Sequence, residues 1–419
     1  FVIKLKDSPP PPLPPLPPPK DDIEVFPPIP LVITKINQDF PSKPLIGLQN
    51  IGATCYMNST IQCLCNIKSL AEYFKYHNKL IEIVKNDKNE EKLCSAFKRL
   101  IENLYPFEFS QNYKLYKSKN PNIKIPSKRD LSKNYYEPKK FKETISRMNP
   151  LFEGIAANDA KDLVNFLLMT LHDELNRAPK EQENINQANS FQDQSNQSIM
   201  LKNFVDNYKK KFMSIISDLF YALNCNVTQC NFCQIKLYNY QIYFFLIFPL
   251  EEVRKFKLTN SIGFNNNINA MNNMVDLYDC FLYDQKVAYM MNENAMYCNY
   301  CKRTTNSLMK TNLTSGPEVL IIILNRGKGI EFPVKINFYL DLNLANFIER
   351  KEAGCFYELF GVITHIGESN MGGHFIAYCK DMWTNKWVKY NDAIVSFVND
   401  FKSEVIDFAM PYVLFYQKK

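Results

Sequence analysis

No uninterrupted apolar run in this chain reaches the ~18 residues of a membrane-spanning helix, and its proline-laden beginning does not read as a signal peptide. Both absences lead to the expectation of a soluble protein of the cytoplasm, the nucleus or both. A large excess of one charge sign is also lacking, with a net charge of +7 over 419 residues. That balance makes no case for nucleic acid, and still less if four cysteines hold a divalent zinc as thiolates. Histidine is rare: His77, His172, His365 and His374 are all there are, so the search for a base that titrates near neutral pH is short. A starting methionine is missing too, the chain beginning at Phe1 as a fragment or processed product would.

What is present is apolar substance. With 46% hydrophobic and 14% aromatic residues, the chain can bury one large core or two to three subdomains. Twelve cysteines without secretory features read as thiols and metal ligands rather than disulfides. Residues 1–43 stand apart from the expected domain at 44–419. Residues 9–19 hold nine prolines and two leucines, a composition that forms exposed polyproline II and no core. Pro15-Leu16-Pro17-Pro18-Pro19-Lys20 has the spacing and trailing base that polyproline-reading domains bind, so residues 9–20 are either such a ligand or a stiff solvated spacer.

The stretch Gly47-Leu48-Gln49-Asn50-Ile51-Gly52-Ala53-Thr54-Cys55 is loop-like. After it, Tyr56, Ile61, Leu64 and Cys65 fall at roughly helical spacing. This predicts Cys55 at a helix N-terminus, where unpaired N–H groups and the positive end of the macrodipole favour a thiolate. The plainer reading of a free cysteine is a small buried hydrophobe. His374 is the matching base: Gly372 and Gly373 open a strand-like run through His374-Phe375-Ile376-Ala377-Tyr378 that leads on to Trp387-Val388-Lys389-Tyr390-Asn391-Asp392. Asn391 and Asp392 offer a side chain to orient the imidazole from a neighbouring strand. His77, in a charged stretch, and His172, inside an amphipathic helix, fit solvated or capping roles better, and His365 fits a strand position flanking the cleft.

Cys230-Asn231-Phe232-Cys233 and Cys298-Asn299-Tyr300-Cys301 are two C-x-x-C knuckles that together make a four-cysteine zinc set. The 64 residues between them require a long hairpin, for which runs 237–250 and 275–289 carry alternating aromatics and aliphatics. A degenerate site or a redox pair is the other reading, with Cys225 near enough to be a decoy ligand. Elsewhere the pattern predicts helices over 93–105 and 158–176, surface segments at 110–142, 179–200 and 259–273, and a strand buried on both faces over 317–326 at the centre of the sheet that carries His374.

The cysteine box at 47–64 and the histidine box at 361–392 resemble those of the ubiquitin-specific proteases, the papain-like deubiquitinating cysteine proteases. The likeness runs from about Pro44 to the closing Pro411-Tyr412-Val413-Leu414-Phe415-Tyr416. It implies an α+β fold with a mostly helical thumb at about 44–205, zinc-ribbon fingers at about 206–310 and a palm of antiparallel sheet at about 311–419, interleaved. It also implies a thiol protease that hydrolyses the bond after the C-terminal glycine of ubiquitin, with ubiquitin conjugates as partners, one structural zinc and no catalytic cofactor. Residue by residue, it implies Cys55 as nucleophile, His374 as acid and base, Asn391 as orienter and Asp392 as a secondary electrostatic or water-holding group. Asn50 matches an oxyanion donor, with a loop-stabilising amide as the plainer alternative.

Gly372 and Gly373, with the segment around Gly367, are expected to line a narrow channel for a diglycine tail. Two stretches depart from the family pattern. The helix start Gln-Gln-Asp-Ala is here Ala157-Asn158-Asp159-Ala160, leaving Asp159 as the matching substrate contact, and the strand end Lys-Arg-Phe is here Asn325-Arg326-Gly327. Three alternatives accompany this reading: a catalytically weak ubiquitin-binding scaffold, a protease for a ubiquitin-like modifier, and a peptidase for ordinary peptides, which has no need of a gripping ribbon.

Overall fold

The computed structural model describes residues 45–76, 91–105, 134–178, 196–261, 274–327, 333–351, 354–369, 372–381, 384–406 and 410–419. The chain divides into two units, Phe1–Pro30 and Leu31–Lys419, and all described residues belong to the second. The polyproline stretch and His77 lie outside the described residues.

The first part of this unit is helical. It comprises β1 (Gly47–Leu48), α1 (Cys55–Cys65), α2 (Lys68–Tyr76), α3 (Leu93–Leu104), β2 (Tyr135–Tyr136), α4 (Lys139–Met148), α5 (Ala160–Glu174), α6 (Gln197–Lys211) and α7 (Ile215–Phe220). Helix α1 is buried along its whole length. It tolerates polar residues there because nearby carbonyls meet them: Gln62 Nε2 donates to Ile46 O at 2.9 Å and Thr60 Oγ1 to Tyr56 O at 2.8 Å. Helix α5 buries Leu163, Val164, Leu167, Leu168 and Leu171, the stripe its spacing predicts. Asp159 caps it, its side chain accepting from Lys161 N at 2.9 Å.

The remaining elements are β3 (Ala222–Cys230), β4 (Lys236–Tyr243), β5 (Leu246–Pro249), α8 (Leu250–Ser261), β6 (Met274–Asp276), α9 (Leu277–Asp284), β7 (Ala288–Met290), β8 (Met296–Cys298), β9 (Arg303–Thr305), β10 (Ser307–Ser315), β11 (Val319–Asn325), β12 (Lys335–Asn337), β13 (Asp341–Asn343), β14 (Phe356–Ser369), β15 (Gly372–Lys380), β16 (Trp387–Asn391), β17 (Ile394–Phe397) and β18 (Met410–Lys418). An eight-stranded sheet runs β17-β16-β15-β14-β18-β11-β5 with β13 added to β14, and a four-stranded sheet runs β4-β3-β10-β7. The mixture of helices and largely antiparallel sheet is the α+β class expected.

The large sheet is covered on both faces. Val319, Ile321 and Ile323 of β11 join the core that holds α1 and α5, while Leu320, Ile322 and Leu324 join a second core with Val253 of α8 and Phe281 of α9. An apolar run without alternation records these two covered faces and not the strand's place in the order. Accordingly β11 lies between β18 and the edge strand β5, and β14 takes the centre instead. On the α1 side the packing is tight, with Cys63 Sγ 3.6 Å from Cys379 Sγ of β15.

Several further expectations need correction. Run 275–289 gives the ribbon only its last two residues: Asp276 caps α9 in a reciprocal box with Asp279, which fixes a helix there, while Ala288 and Tyr289 open β7 and pair with Met309 and Leu308 of β10. β3 pairs along its length with β4, from Ala222↔Tyr243 to Gln229↔Lys236, and on its other side with β10, from Ser307↔Cys230 to Ser315↔Leu223. The lysine-rich segment at 110–142 ends in β2 and the start of α4, and Gln197–Met200 open α6 under an Asn196 cap. His172 is buried rather than solvated. Its Nδ1 accepts from Ser214 Oγ at 2.7 Å, since that hydroxyl already accepts from Ile216 N and Ser217 N.

Candidate active site

Cys55 is the first residue of α1, and Thr54 before it makes no side-chain cap. The helix therefore begins at the site with first-turn amides that no capping side chain takes. The preceding loop is pressed against the turn after β16. Leu48 N donates to Asp392 O at 2.9 Å, and a β-carbon on Gly47 would meet Ala393 O at 2.5 Å, so only glycine admits this approach.

His374 reaches the same place from β15. Its Nε2–H donates to Asn391 Oδ1 at 2.6 Å, which leaves Nδ1 to face the cysteine. The hydrogen bond to Cys55 is the largest influence raising the His374 pKa to about 9, with Asn391 and the charge of Asp392 adding to it against partial burial. Cys55, His374 and Asn391 thus form one chain of contacts contributed by a helix, a strand and the end of the adjacent strand.

Asp392 follows in a left-handed conformation, φ +52°, which aspartate tolerates better than most residues. One carboxylate oxygen lies 3.8 Å from His374 Nε2 and accepts from Asn50 Nδ2 at 2.9 Å. Asn50 Oδ1 accepts from Gly52 N, Thr54 N and Thr54 Oγ1, so this amide stabilises its loop and keeps one end toward the site. Both readings of Asn50 from the sequence fit that placement.

The residues expected to meet substrate divide. Gly372 is exposed and faces open space, whereas a β-carbon on Gly373 would collide with the His365 ring. His365 itself is buried against Phe375, with ring centroids 4.8 Å apart, in keeping with a strand position beside the cleft. Asp159, besides capping α5, accepts from Tyr412 OH at 2.6 Å and pairs with Lys161 at 2.9 Å.

Some contributors escaped the sequence reading. Asn58 is buried and touches Asp392; its position three residues after Cys55, on the same helix face, was the available signal. Arg326, in the stretch that departs from the family pattern, is fully buried and donates to Pro411 O at 2.9 Å and Val334 O at 2.6 Å. It ties β11 to the start of β18.

A second centre lies at the tip of the four-stranded sheet. Cys230, Cys233, Cys298 and Cys301 place their four sulfurs within 4.8 Å of one another, including pairs at 3.8 Å and 3.7 Å. Metal–sulfur bonds of about 2.3 Å in a tetrahedron give sulfur–sulfur edges of about 3.8 Å, so the set fits a metal ion. Cys225 is buried elsewhere, in a cluster with Leu201, Leu223 and Tyr240.

A helix-borne cysteine bonded to a strand-borne histidine that a neighbouring amide orients defines the class of papain-like cysteine hydrolases. The family model for ubiquitin carboxyl-terminal hydrolase matches residues 46–416, and the chain belongs to that family. It is 25% identical over 381 residues to ubiquitin carboxyl-terminal hydrolase 2 of Bos taurus, covering 89% of this chain and 55% of the relative. To ubiquitin carboxyl-terminal hydrolase 21 of Rattus norvegicus it is 24% identical over 399 residues, covering 89% and 61%. It therefore spans little more than half the length of these relatives. Among solved structures, the SAGA Ubp8/Sgf11/Sus1/Sgf73 DUB module bound to ubiquitin aldehyde shares the fold, with a TM-score of 0.60 at 20% identity over 92% of this chain and 72% of that one.

Proposed function

We propose that this chain is a thiol-dependent deubiquitinase that hydrolyses the isopeptide or peptide bond after the C-terminal glycine of ubiquitin. The observation that carries the reading is the contact chain Cys55–His374–Asn391 inside a domain of the ubiquitin carboxyl-terminal hydrolase family. The Cys55 thiolate attacks the glycine carbonyl, and the His374 imidazolium then protonates the departing amine. His374 next draws a proton from water, which hydrolyses the thioester and frees Cys55. Asn391 holds the imidazole in the tautomer this needs. The developing oxyanion meets the Cys55 backbone N–H and the second amide proton of Asn50, a donor worth about 3 kcal/mol where it is typical.

In the same reading the helices of about 44–205 form a thumb, the four-stranded sheet with its cysteine tip forms fingers over about 206–310 with β10 running on to Ser315, and the large sheet forms a palm over about 311–419 with β5 (Leu246–Pro249) interleaved. Gly372 borders the channel for the diglycine tail, and Asp159 stands at its side. Zinc is the ion for the four cysteines: thiolate ligands in a closed tetrahedral set suit it, and with no open position it is structural. Ubiquitin conjugates are the partners, residues 9–20 offer a ligand to a polyproline-reading domain, and the protein acts in the cytoplasm, the nucleus or both. The test is release of a fluorogenic amide from the C-terminus of ubiquitin, with Cys55→Ala as control. Turnover that vanishes in the control supports the reading; turnover that persists, or a wild type that neither cleaves nor binds ubiquitin, overturns it.

A further inference from the structure

Asn58 lies one turn into α1, only 2% exposed, and its amide makes three contacts with one nitrogen. Nδ2 donates to Asp392 Oδ1 at 2.8 Å, to Leu48 O at 3.2 Å and to Gln49 O at 3.3 Å. Leu48 and Gln49 lead directly into Asn50, whose own Nδ2 donates to the other oxygen of the same carboxylate at 2.9 Å. That second oxygen is the one 3.8 Å from His374 Nε2. The two arms of the site, the loop of Asn50 and the turn behind His374, therefore meet at Asp392, and Asn58 grips both from the helix that carries Cys55.

We propose that Asn58 is a positioning residue of the reaction: it clamps Asp392 and the Leu48–Gln49 backbone together, so that a single anchored carboxylate both steadies His374 and aims the Asn50 amide. Burial adds to the argument. A carboxylate accepting two amide N–H bonds is held in one orientation, and a rigid helix is a better mount for it than the turn alone. The aim of Asn50 matters only if it serves an oxyanion, so that half of the inference rests on the proposed function. The steadying of His374 does not.

Alkylation of Cys55 by iodoacetamide reads the second half without any ubiquitin. Besides Cys55, the titratable groups that bear on His374 are Asp392 and, from the adjacent strand, His365. Loosening the carboxylate removes a support of the imidazolium, so the alkaline transition of the alkylation rate should move to lower pH in Asn58→Ala. Asp392→Asn should move it at least as far, and the double variant no further than Asp392→Asn alone, the non-additivity of residues that act through one group. Asn58→Ser, too short to reach the carboxylate, should behave as Asn58→Ala does, with thermal melting confirming the fold of each. On ubiquitin amide, Asn58→Ala should lose about tenfold to a hundredfold in kcat with KM within about twofold.

An unchanged alkylation profile in a folded Asn58 variant overturns the proposal. So do additive shifts, or unfolding of both Asn58 variants, which would make the residue a structural strut. A coupled shift in a protein that leaves ubiquitin amide intact upholds the positioning of His374 and overturns the proposed function instead.

Discussion

Gly373 backs directly onto the His365 imidazole, and the ring occupies the space a β-carbon would need. Gly372, one residue earlier, faces open space. The two glycines of the histidine box therefore answer to different demands, the second to packing inside the sheet and the first to whatever passes outside it. Gly373→Ala should lower stability by about 1–3 kcal/mol, the usual cost of overpacking. Gly372→Val should leave the melting temperature unchanged and raise KM for ubiquitin amide about tenfold by narrowing the channel. Melting curves and steady-state kinetics on the pair separate the two; equal melting temperatures for both variants would contradict the distinction.

The pKa of His374 is raised to about 9, chiefly by its hydrogen bond with Cys55. Because the protonated ring is the acid that releases the amine, kcat/KM should hold through neutral pH and fall only as pH rises through about 9. Asn391→Ala removes a second support of the raised value, so its alkaline limb should lie at lower pH, with kcat reduced by about tenfold to a hundredfold through misorientation of the ring. A pH–rate profile for both proteins checks this. A wild-type limb near the ordinary histidine value would contradict it.

His172 behaves in the opposite sense. Burial holds its pKa below the ordinary value of 6.5, and its Nδ1 accepts from Ser214 at 2.7 Å. A depressed pKa in the fold means stability is complete above the unfolded value and is lost as pH falls through it toward the folded one. The melting temperature of the wild type should therefore drop from pH 7 to pH 5 more than that of His172→Gln, and parallel curves would refute the sign.

The four cysteines should bind one zinc per chain, measurable by release to a colorimetric chelator. Cys298→Ser with Cys301→Ser should abolish it and lower the melting temperature, since a structural zinc contributes folding free energy. Protein prepared with zinc yet free of any metal would rule the assignment out.

Much of the site was legible because its chemistry is local in sequence. The glycine-rich loop into an apolar helix placed Cys55, and the C-x-x-C pairs placed the four-cysteine cluster. The double role of Asp392 and the grip of Asn58 were not legible, because they join residues 334 positions apart, and an asparagine in a helix reads as an ordinary surface residue. The place of β11 was misread for a related reason: burial on both faces is a property of the layers around a strand, and β18 entered beside it from the far end of the chain. Leu277–Asp284 within the stretch at 275–289 went to a helix because Asp276 and Asp279 cap one there, a short-range signal that outweighed the alternating aromatics.

The central claim is tested most directly by offering the protein ubiquitin whose C-terminus carries an electrophile in place of the scissile carbonyl, and locating the adduct by mass spectrometry. One ubiquitin per chain is expected, attached to Cys55 and absent from Cys55→Ala. Attachment to another of the twelve cysteines, or no adduct in protein that binds ubiquitin, would contradict it.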